Sequence, residues 1–375
     1  MIPQANPKAG YLAQRADIDA AILRVLNDGW YIMGEEVAAF EREFAAFTRT
    51  RFAVGVASGT DALTLGLRAL DIGPGDAVIT VSHTAVATVA AIELAGATPV
   101  LVDIGADWTM DPGALEKLLG AWPVGVPKAK AIVPVHLYGQ PAAMAKIAAI
   151  ADAHGLIMIE DCSQAHGAGI NNRLVGSWSR LAAYSLYPTK NLGALGDAGI
   201  ISTDDPVLQE KLCALRQYGW RDRYISDMPG INSRLDPIQA GVLRVKLQVL
   251  ERDTERRRAI AARYDAGLAG LSGLALPARS AGYAPVFHQY VVNAGPRRDA
   301  LQAALKAREI LTVVHYPVPI HLQPAYRGRI AIGPGGLPQS ERAAHSVLSL
   351  PMFPQLSDDD IDSVIEAIRG FWKTT

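Results

Sequence analysis

The chain has 375 residues, half of them apolar and 19% charged, with 36 Lys and Arg against 37 Asp and Glu for a formal net charge of −1. At about 150 residues per domain this length implies two domains with a sizeable core, and the near-neutral balance excludes both the basic surplus of a nucleic-acid binder and the profile of a disordered chain. Two cysteines, Cys162 and Cys213, cannot staple a chain of this size and point to a reducing, cytosolic compartment.

Apolar β-branched runs alternate with helical patterns through most of the sequence. FAVGV (52–56) reads as a buried strand, followed by a helix whose stripe is Leu63, Leu67 and Leu70. GPGD (73–76) is a turn and AVITV (77–81) a second strand. A helical stretch over 85–95 leads to TPVLVDI (98–104). The most apolar long tract, Ala85 to Val102, is interrupted by Glu93 and Pro99, short of the roughly 20 apolar residues that cross a bilayer. Likewise MIPQANPKAG at the N-terminus lacks the apolar segment of a targeting signal.

AIVPV (131–135), LIMI (156–159), AAYSL (182–186) and GIIS (199–202) continue the series. Continuous apolar strands separated by helices predict a mostly parallel sheet covered on both faces. After about residue 240 the pattern changes. Gly241 to Leu268 reads as one long helix, with the basic run Arg256 to Arg258 on a solvated face. APVFHQYVV is extended, a helix follows near 297–307, and TVVHYPVP reads as a strand entering a Pro-rich loop. The last helix starts at Ser357, an N-cap with Asp358 to Asp360 in its first turn. The predicted division is a large domain over 1–245 and a smaller α+β domain over 246–375, with the N-terminal segment free to pack on the small domain.

In open parallel sheets ligands bind beyond the carboxyl ends of the strands, so the polar residues that follow the strands are the candidates. Ser58, Gly59 and Thr60 follow the first strand and open the first helix, where free N–H groups and the helix dipole suit a phosphate. A plain N-cap turn has the same pattern. Asp161 ends a buried strand and needs a partner there: a cationic ring nitrogen, a metal or a helix cap. Side chains alternate along a strand, so Glu160 faces the other way. Lys190 lies in SLYPTKNLGALGDAG, a tract poor in charge, where desolvation favours the neutral amine nucleophile.

Together, a phosphate site, a carboxylate for a pyridinium nitrogen and an imine-forming lysine are what pyridoxal 5'-phosphate requires. A GxGxxG motif after the first strand and a GxxxxGK[ST] loop are both absent. HExxH and CxxC are absent too, and His315 and His321 do not form an i, i+4 pair, so no metal site is expected.

At these residues the sequence resembles the DegT/DnrJ/StrS sugar aminotransferases, within fold type I of the pyridoxal-phosphate enzymes. The resemblance runs from GWYIMGEEVAAFEREF to HYPVPIHLQPAY and is carried most specifically by ASGTDAL, IEDCSQAHGA, YSLYPTKNLGALGDAG and GINSRLDPIQAGVLRVKL. It implies a mostly parallel seven-stranded sheet in the large domain.

It also implies roles. Lys190 forms the imine and then shuttles the proton. Asp161 pairs with the ring nitrogen, and Gln164 sits near the ring hydroxyl. Gly59, Thr60 and Ser185 hold the phosphate, and Asn232 reaches the phosphate of the neighbouring subunit's cofactor in a homodimer. His166 is a nearby support. Lys190 favours transamination over the dehydration run by family members with His at that position.

One departure stands out. The family commonly has an aromatic residue stacked on the ring after the Thr of a TF or TW pair, and here Ala85 holds that place in VSHTAVAT. Either His83 covers the ring or that face is more open. The tract RQYGWRDRYISDMPGINSRLD is similar to that of enzymes acting on dTDP-linked keto-6-deoxyhexoses at C3, with glutamate as the expected amino donor. Tyr187, Tyr316 and His321 are candidates for the sugar pocket. Two other readings stay open: a cofactor-binding regulator without turnover, and an aminotransferase or aminodehydratase acting on a carbocyclic substrate.

Overall fold

A computed structural model describes residues 1–278 and 280–374. The seven runs read as strands form one sheet: Phe52–Val56, Ala77–Val81, Thr98–Val102, Ala129–Ile132, Ile157–Asp161, Leu181–Ser185 and Gly199–Thr203. An eighth strand, Ala331–Ile332, comes from the C-terminal part of the chain and pairs in parallel with Thr98–Val102. The sheet is therefore eight-stranded rather than seven-stranded. A two-residue edge strand has no hydrophobic period to betray it.

Across the sheet the strands begin at residues 52, 199, 181, 157, 129, 77, 98 and 331. Gly199–Thr203 runs antiparallel to both of its neighbours, and every other pairing is parallel. The connection explains the exception. Helical crossovers return the chain in parallel, whereas residues 186–198 form a loop without a helix and lead straight back. As a result Gly199 lies beside both Val56 and Ser185, at the carboxyl ends of two parallel strands.

The stripe of the first sheet-covering helix, Gly59–Ala69, packs as its spacing predicts, with Leu63, Leu67 and the adjoining Leu70 buried with Val54, Val78 and Ile201 in one core. Each such leucine contributes about 1.5–3 kcal/mol by leaving water. The N-terminal helices Arg15–Asp28 and Glu35–Thr48 both pack on helix Pro237–Leu247. Ile2, in contrast, exchanges backbone hydrogen bonds with Glu309 and Leu311.

Three readings of the C-terminal part are corrected. Gly241 to Leu268 is not one helix: Pro237–Leu247 ends at Gln248, and Leu250–Leu268 begins after Val249. The first of these packs on the N-terminal helices and the second on the terminal helix Asp358–Thr374, so the chain turns where its packing partner changes. Arg257 is not on a solvated face. It lies on the stripe with Thr254, Ile260, Ala261 and Tyr264, and its buried guanidinium donates to the carbonyls of Phe287 and Met352. TVVHYPVP forms only a single bridge, Val313 to Ser349. The strand pair of this region is Tyr290–Asn293 with Val347–Leu350. Ser357 caps the last helix through Asp360 N–H, as expected. Among the described residues no helix is long and apolar enough to cross a membrane.

Candidate active site

A cavity of about 370 Å³ opens at the carboxyl ends of the parallel strands, and Gly59, Thr60, Asp161, Gln164, Ser185, Tyr187, Lys190 and Tyr316 all line it. These residues come from separate strand ends and the loops that follow them, brought together by the sheet order. A larger groove of about 870 Å³, around Trp108 and Arg342, holds none of them.

The floor on one side is the N-terminus of helix Gly59–Ala69. Ser58 Oγ accepts Asp61 N–H at 3.1 Å, and Ser233 Oγ bridges the turn by accepting Ala57 N–H and donating to Asp61. The helix begins very close to the neighbouring strands. A Cβ on Gly59 would meet Ser185 Cβ at 2.5 Å, and one on Gly199 would meet Ser58 O at 2.2 Å. Only glycine leaves this cradle of N–H groups open.

Asp161 is 4% exposed. Its Oδ1 accepts Ser163 N–H at 3.1 Å and its Oδ2 accepts the Thr88 hydroxyl at 2.9 Å. Lys190 sits on the loop that returns to Gly199. That loop is held by Asn191 Nδ2 on Val286 O and by Lys246 Nζ on Gly193 O. Desolvation lowers the Lys190 amine to about 8, against the opposing pull of the Asp161 charge. Its Nζ makes no hydrogen bond among the described residues.

Gln164 is fixed at both ends of its amide: Oε1 accepts Tyr138 N–H at 2.7 Å, and Nε2 donates to Tyr316 Oη at 3.1 Å. Burial raises the Tyr316 phenol to about 12. Burial, reinforced by the Lys190 charge, lowers His166 to about 3 and His315 to about 4, so the imidazoles around the amine are neutral.

Four of the named residues, His83, His166, His321 and Asn232, are not in the cavity lining. His83 turns inward, its Nε2 on Tyr138 Oη at 2.7 Å, and burial lowers it to about 4. Ala85 stands in the lining instead. His321 is held between Ser82 Oγ at 2.8 Å and Glu341 at 3.2 Å. Asn232 is exposed and bridges Gln217.

On the opposite side of the strand from Asp161, His136, Glu160 and Cys162 bring their side-chain donor atoms within 4.8 Å of one another. His136 Nδ1 accepts Ala142 N–H, which puts the ring proton on Nε2, facing Glu160. Glu160 also accepts from Gly176 N, Trp178 N and Ser179 Oγ. This is a satisfied polar core rather than an open ligand set.

Among the lining residues that the sequence did not single out are Thr88, His288, Gln289 and His315. Thr88 lies 73 residues from Asp161, and only the fold joins them. His315 adjoins Tyr316, so the HYP tract was a partial pointer.

The sequence profile of the DegT/DnrJ/EryC1/StrS aminotransferase family matches residues 13–369. The chain belongs to this family. It is 48% identical over 369 residues to the dTDP-3-amino-3,4,6-trideoxy-alpha-D-glucose transaminase of Streptomyces venezuelae, covering 98% of this chain and 95% of that one. It is 42% identical to the UDP-N-acetyl-3-dehydro-alpha-D-glucosamine 3-aminotransferase of Acidithiobacillus ferrooxidans, covering 98% and 97%. The crystal structure of S. venezuelae DesV with a ketimine intermediate superposes with a TM-score of 0.94 at 48% identity, covering 99% and 98% of the two chains.

The residues present fit the cofactor of such aminotransferases. A desolvated amine without a hydrogen-bond partner suits its aldehyde, a buried carboxylate suits its ring nitrogen, and the cradle that a Cβ on Gly59 would fill suits its phosphate.

Proposed function

We infer that the chain is a pyridoxal 5'-phosphate-dependent aminotransferase of nucleotide-linked sugars, with a dTDP-3-keto-6-deoxyhexose as acceptor and L-glutamate as amino donor. The observation that carries the reading is the union, in one cavity of a family member, of the Lys190 amine, the Asp161 carboxylate and the N-terminus of helix Gly59–Ala69. The dTDP carrier is favoured by the 48% identity to a dTDP-sugar transaminase over the 42% to a UDP-sugar enzyme.

When bound, the cofactor supplies an electron sink that lets an amino acid lose its α-proton and give up its nitrogen. Lys190 would hold the aldehyde carbon through its amine. The same amine would be the base that takes the α-proton and the acid that returns it. Asp161 would keep the ring nitrogen protonated. Gln164 would meet the ring hydroxyl, its amide already oriented by Tyr138 and Tyr316. Gly59, Thr60 and Ser185 would take the phosphate.

Tyr187 and Tyr316 would face the sugar. His83 and His321 lie outside the lining, so neither is assigned a contact, and Ala85, which is in the lining, would leave one ring face more open. We place the enzyme in the cytosol as a homodimer in which Asn232 completes the partner's phosphate site.

The test is turnover with a panel of dTDP-, UDP- and GDP-linked keto sugars and glutamate, with NMR assignment of the aminated carbon. Amination of the dTDP-linked 3-keto sugar is expected. Faster turnover of another nucleotide changes the carrier. No amination of any nucleotide sugar, with turnover of an inosose, moves the substrate to the carbocyclic class. Absence of bleaching of the visible absorbance by glutamate makes the chain a non-catalytic binder.

A further inference from the structure

Asp161 reaches the cavity with a carboxylate whose plane needs fixing. The terminal torsion of an aspartate is soft and nearly two-fold, so a strand end alone does not set the direction of its lone pairs. Two hydrogen bonds do so here, one on each oxygen: Ser163 N–H on Oδ1 at 3.1 Å and Thr88 Oγ1 on Oδ2 at 2.9 Å. The first is local, two residues along the chain. The second spans the cavity floor from the first turn of helix Val86–Leu94.

Thr88 is unusual for a helical threonine. Such hydroxyls commonly turn back to the carbonyl of the preceding turn. This one is 1% exposed and points away from its own helix to a buried acid. Its oxygen also lies 3.3 Å from Thr84 Oγ1. An ionised carboxylate only accepts, so the Thr88 proton goes to Asp161 and the Thr84 hydroxyl is free to donate to Thr88. The two threonines form an oriented chain ending on Oδ2, which leaves each carboxylate oxygen a further lone pair for a ligand.

We propose that Thr88 is a positioning residue for the transamination: by holding Asp161 Oδ2 it aims the carboxylate at the cofactor's ring nitrogen. This deepens the proposed function and rests on its assignment of Asp161.

The test loads the protein with 15N-labelled pyridoxal phosphate and reads the ring-nitrogen chemical shift, with the rate of the glutamate half-reaction measured beside it. Thr88→Val keeps the shape and removes the donor. It is expected to move the ring-nitrogen shift toward that of Asp161→Asn and to slow the half-reaction by about tenfold or more, the scale on which misaimed groups act. Thr88→Ser restores the donor and is expected to return both readings to within about threefold of wild type, as for a retained hydrogen bond.

If Thr88→Val folds poorly, Thr88→Cys, with its weaker donor, is expected to give an intermediate shift. A wild-type shift in Thr88→Val, or in Thr88→Cys where that variant has to serve, overturns the proposal, provided Asp161→Asn moves it. A wild-type shift in Asp161→Asn overturns the assignment of Asp161 itself.

Discussion

Gly59 and Ser185 meet almost backbone to backbone: a Cβ on Gly59 would stand 2.5 Å from Ser185 Cβ and 2.9 Å from Ser185 Cα. The contact brings the N-terminus of a helix against the end of a central strand, and the proposed phosphate cradle lies between them. Gly59→Ala must push these elements apart, because the obstacle is main chain and Cβ rather than the far end of a flexible side chain. Overpacking of this kind costs about 1–3 kcal/mol. The variant is expected to melt earlier and to lose cofactor on dialysis under conditions where the wild type keeps it. Undiminished retention would move the phosphate site elsewhere.

Gln164 offers a second, separable test. Its carbonyl satisfies the buried Tyr138 N–H and its amide meets the Tyr316 hydroxyl. Gln164→Leu leaves that N–H unpaired, at about 1–3 kcal/mol. Tyr316→Phe removes only the partner on the cavity side. The first is therefore expected to lower the melting temperature clearly more than the second. If Tyr316 faces the sugar, Tyr316→Phe should slow the keto-sugar half-reaction while leaving the glutamate half-reaction near wild type. Equal slowing of both would take Tyr316 out of the sugar pocket.

These residues divide along a physical line. Asp161, Lys190 and the Ser58 to Thr60 turn were legible because each follows a continuous apolar run, and strand ends are where a parallel sheet binds ligands. All seven long strands were legible for the same reason. Ala331–Ile332 was not, being too short to carry a period. The burial of Arg257 was hidden because three successive arginines look alike in sequence while a helix sends them in different directions.

Thr88 was invisible because its partner is set by the packing of a helix on the sheet. The inward turn of His83 was also beyond the sequence. Its tract names a histidine near the site, but the hydrogen bond to Tyr138 Oη comes from a residue 55 positions away.

The amine of Lys190 makes a pH prediction. An amine attacks an aldehyde only when neutral. With burial lowering it to about 8, roughly a tenth is neutral at pH 7, whereas an ordinary lysine near 10.4 would be neutral in less than about one part in a thousand. The reloading rate of cofactor-free protein, followed by the visible absorbance, should rise about tenfold per pH unit below 8 and level off above it. A rise that continues to pH 10 would mean that the amine is not desolvated. Lys190→Ala should show no such absorbance and no turnover, and borohydride reduction followed by peptide mapping should find the pyridoxyl group on Lys190 in the wild type alone.

Asn232 is exposed and absent from the cavity of its own chain, while Ser233 beside it is buried against the turn that opens helix Gly59–Ala69. If it completes the partner's phosphate site, Asn232→Ala should weaken cofactor retention only through the dimer, and mixing decides the matter. In a dimer of one Lys190→Ala protomer and one Asn232→Ala protomer, one site carries both defects. The other joins an intact Lys190 to an intact Asn232 from the partner. Random exchange makes half the dimers mixed, so at a cofactor concentration too low to load the weakened Asn232→Ala sites an equal mixture of the two variants should recover about a quarter of wild-type activity, as expected for an isologous dimer with shared sites. If Asn232 acts only within its own chain, every site in the mixture keeps a defect and no activity returns. The mixture must be re-equilibrated through monomers, and exchange confirmed by tagging one variant. Exchange without recovered activity would remove the shared site.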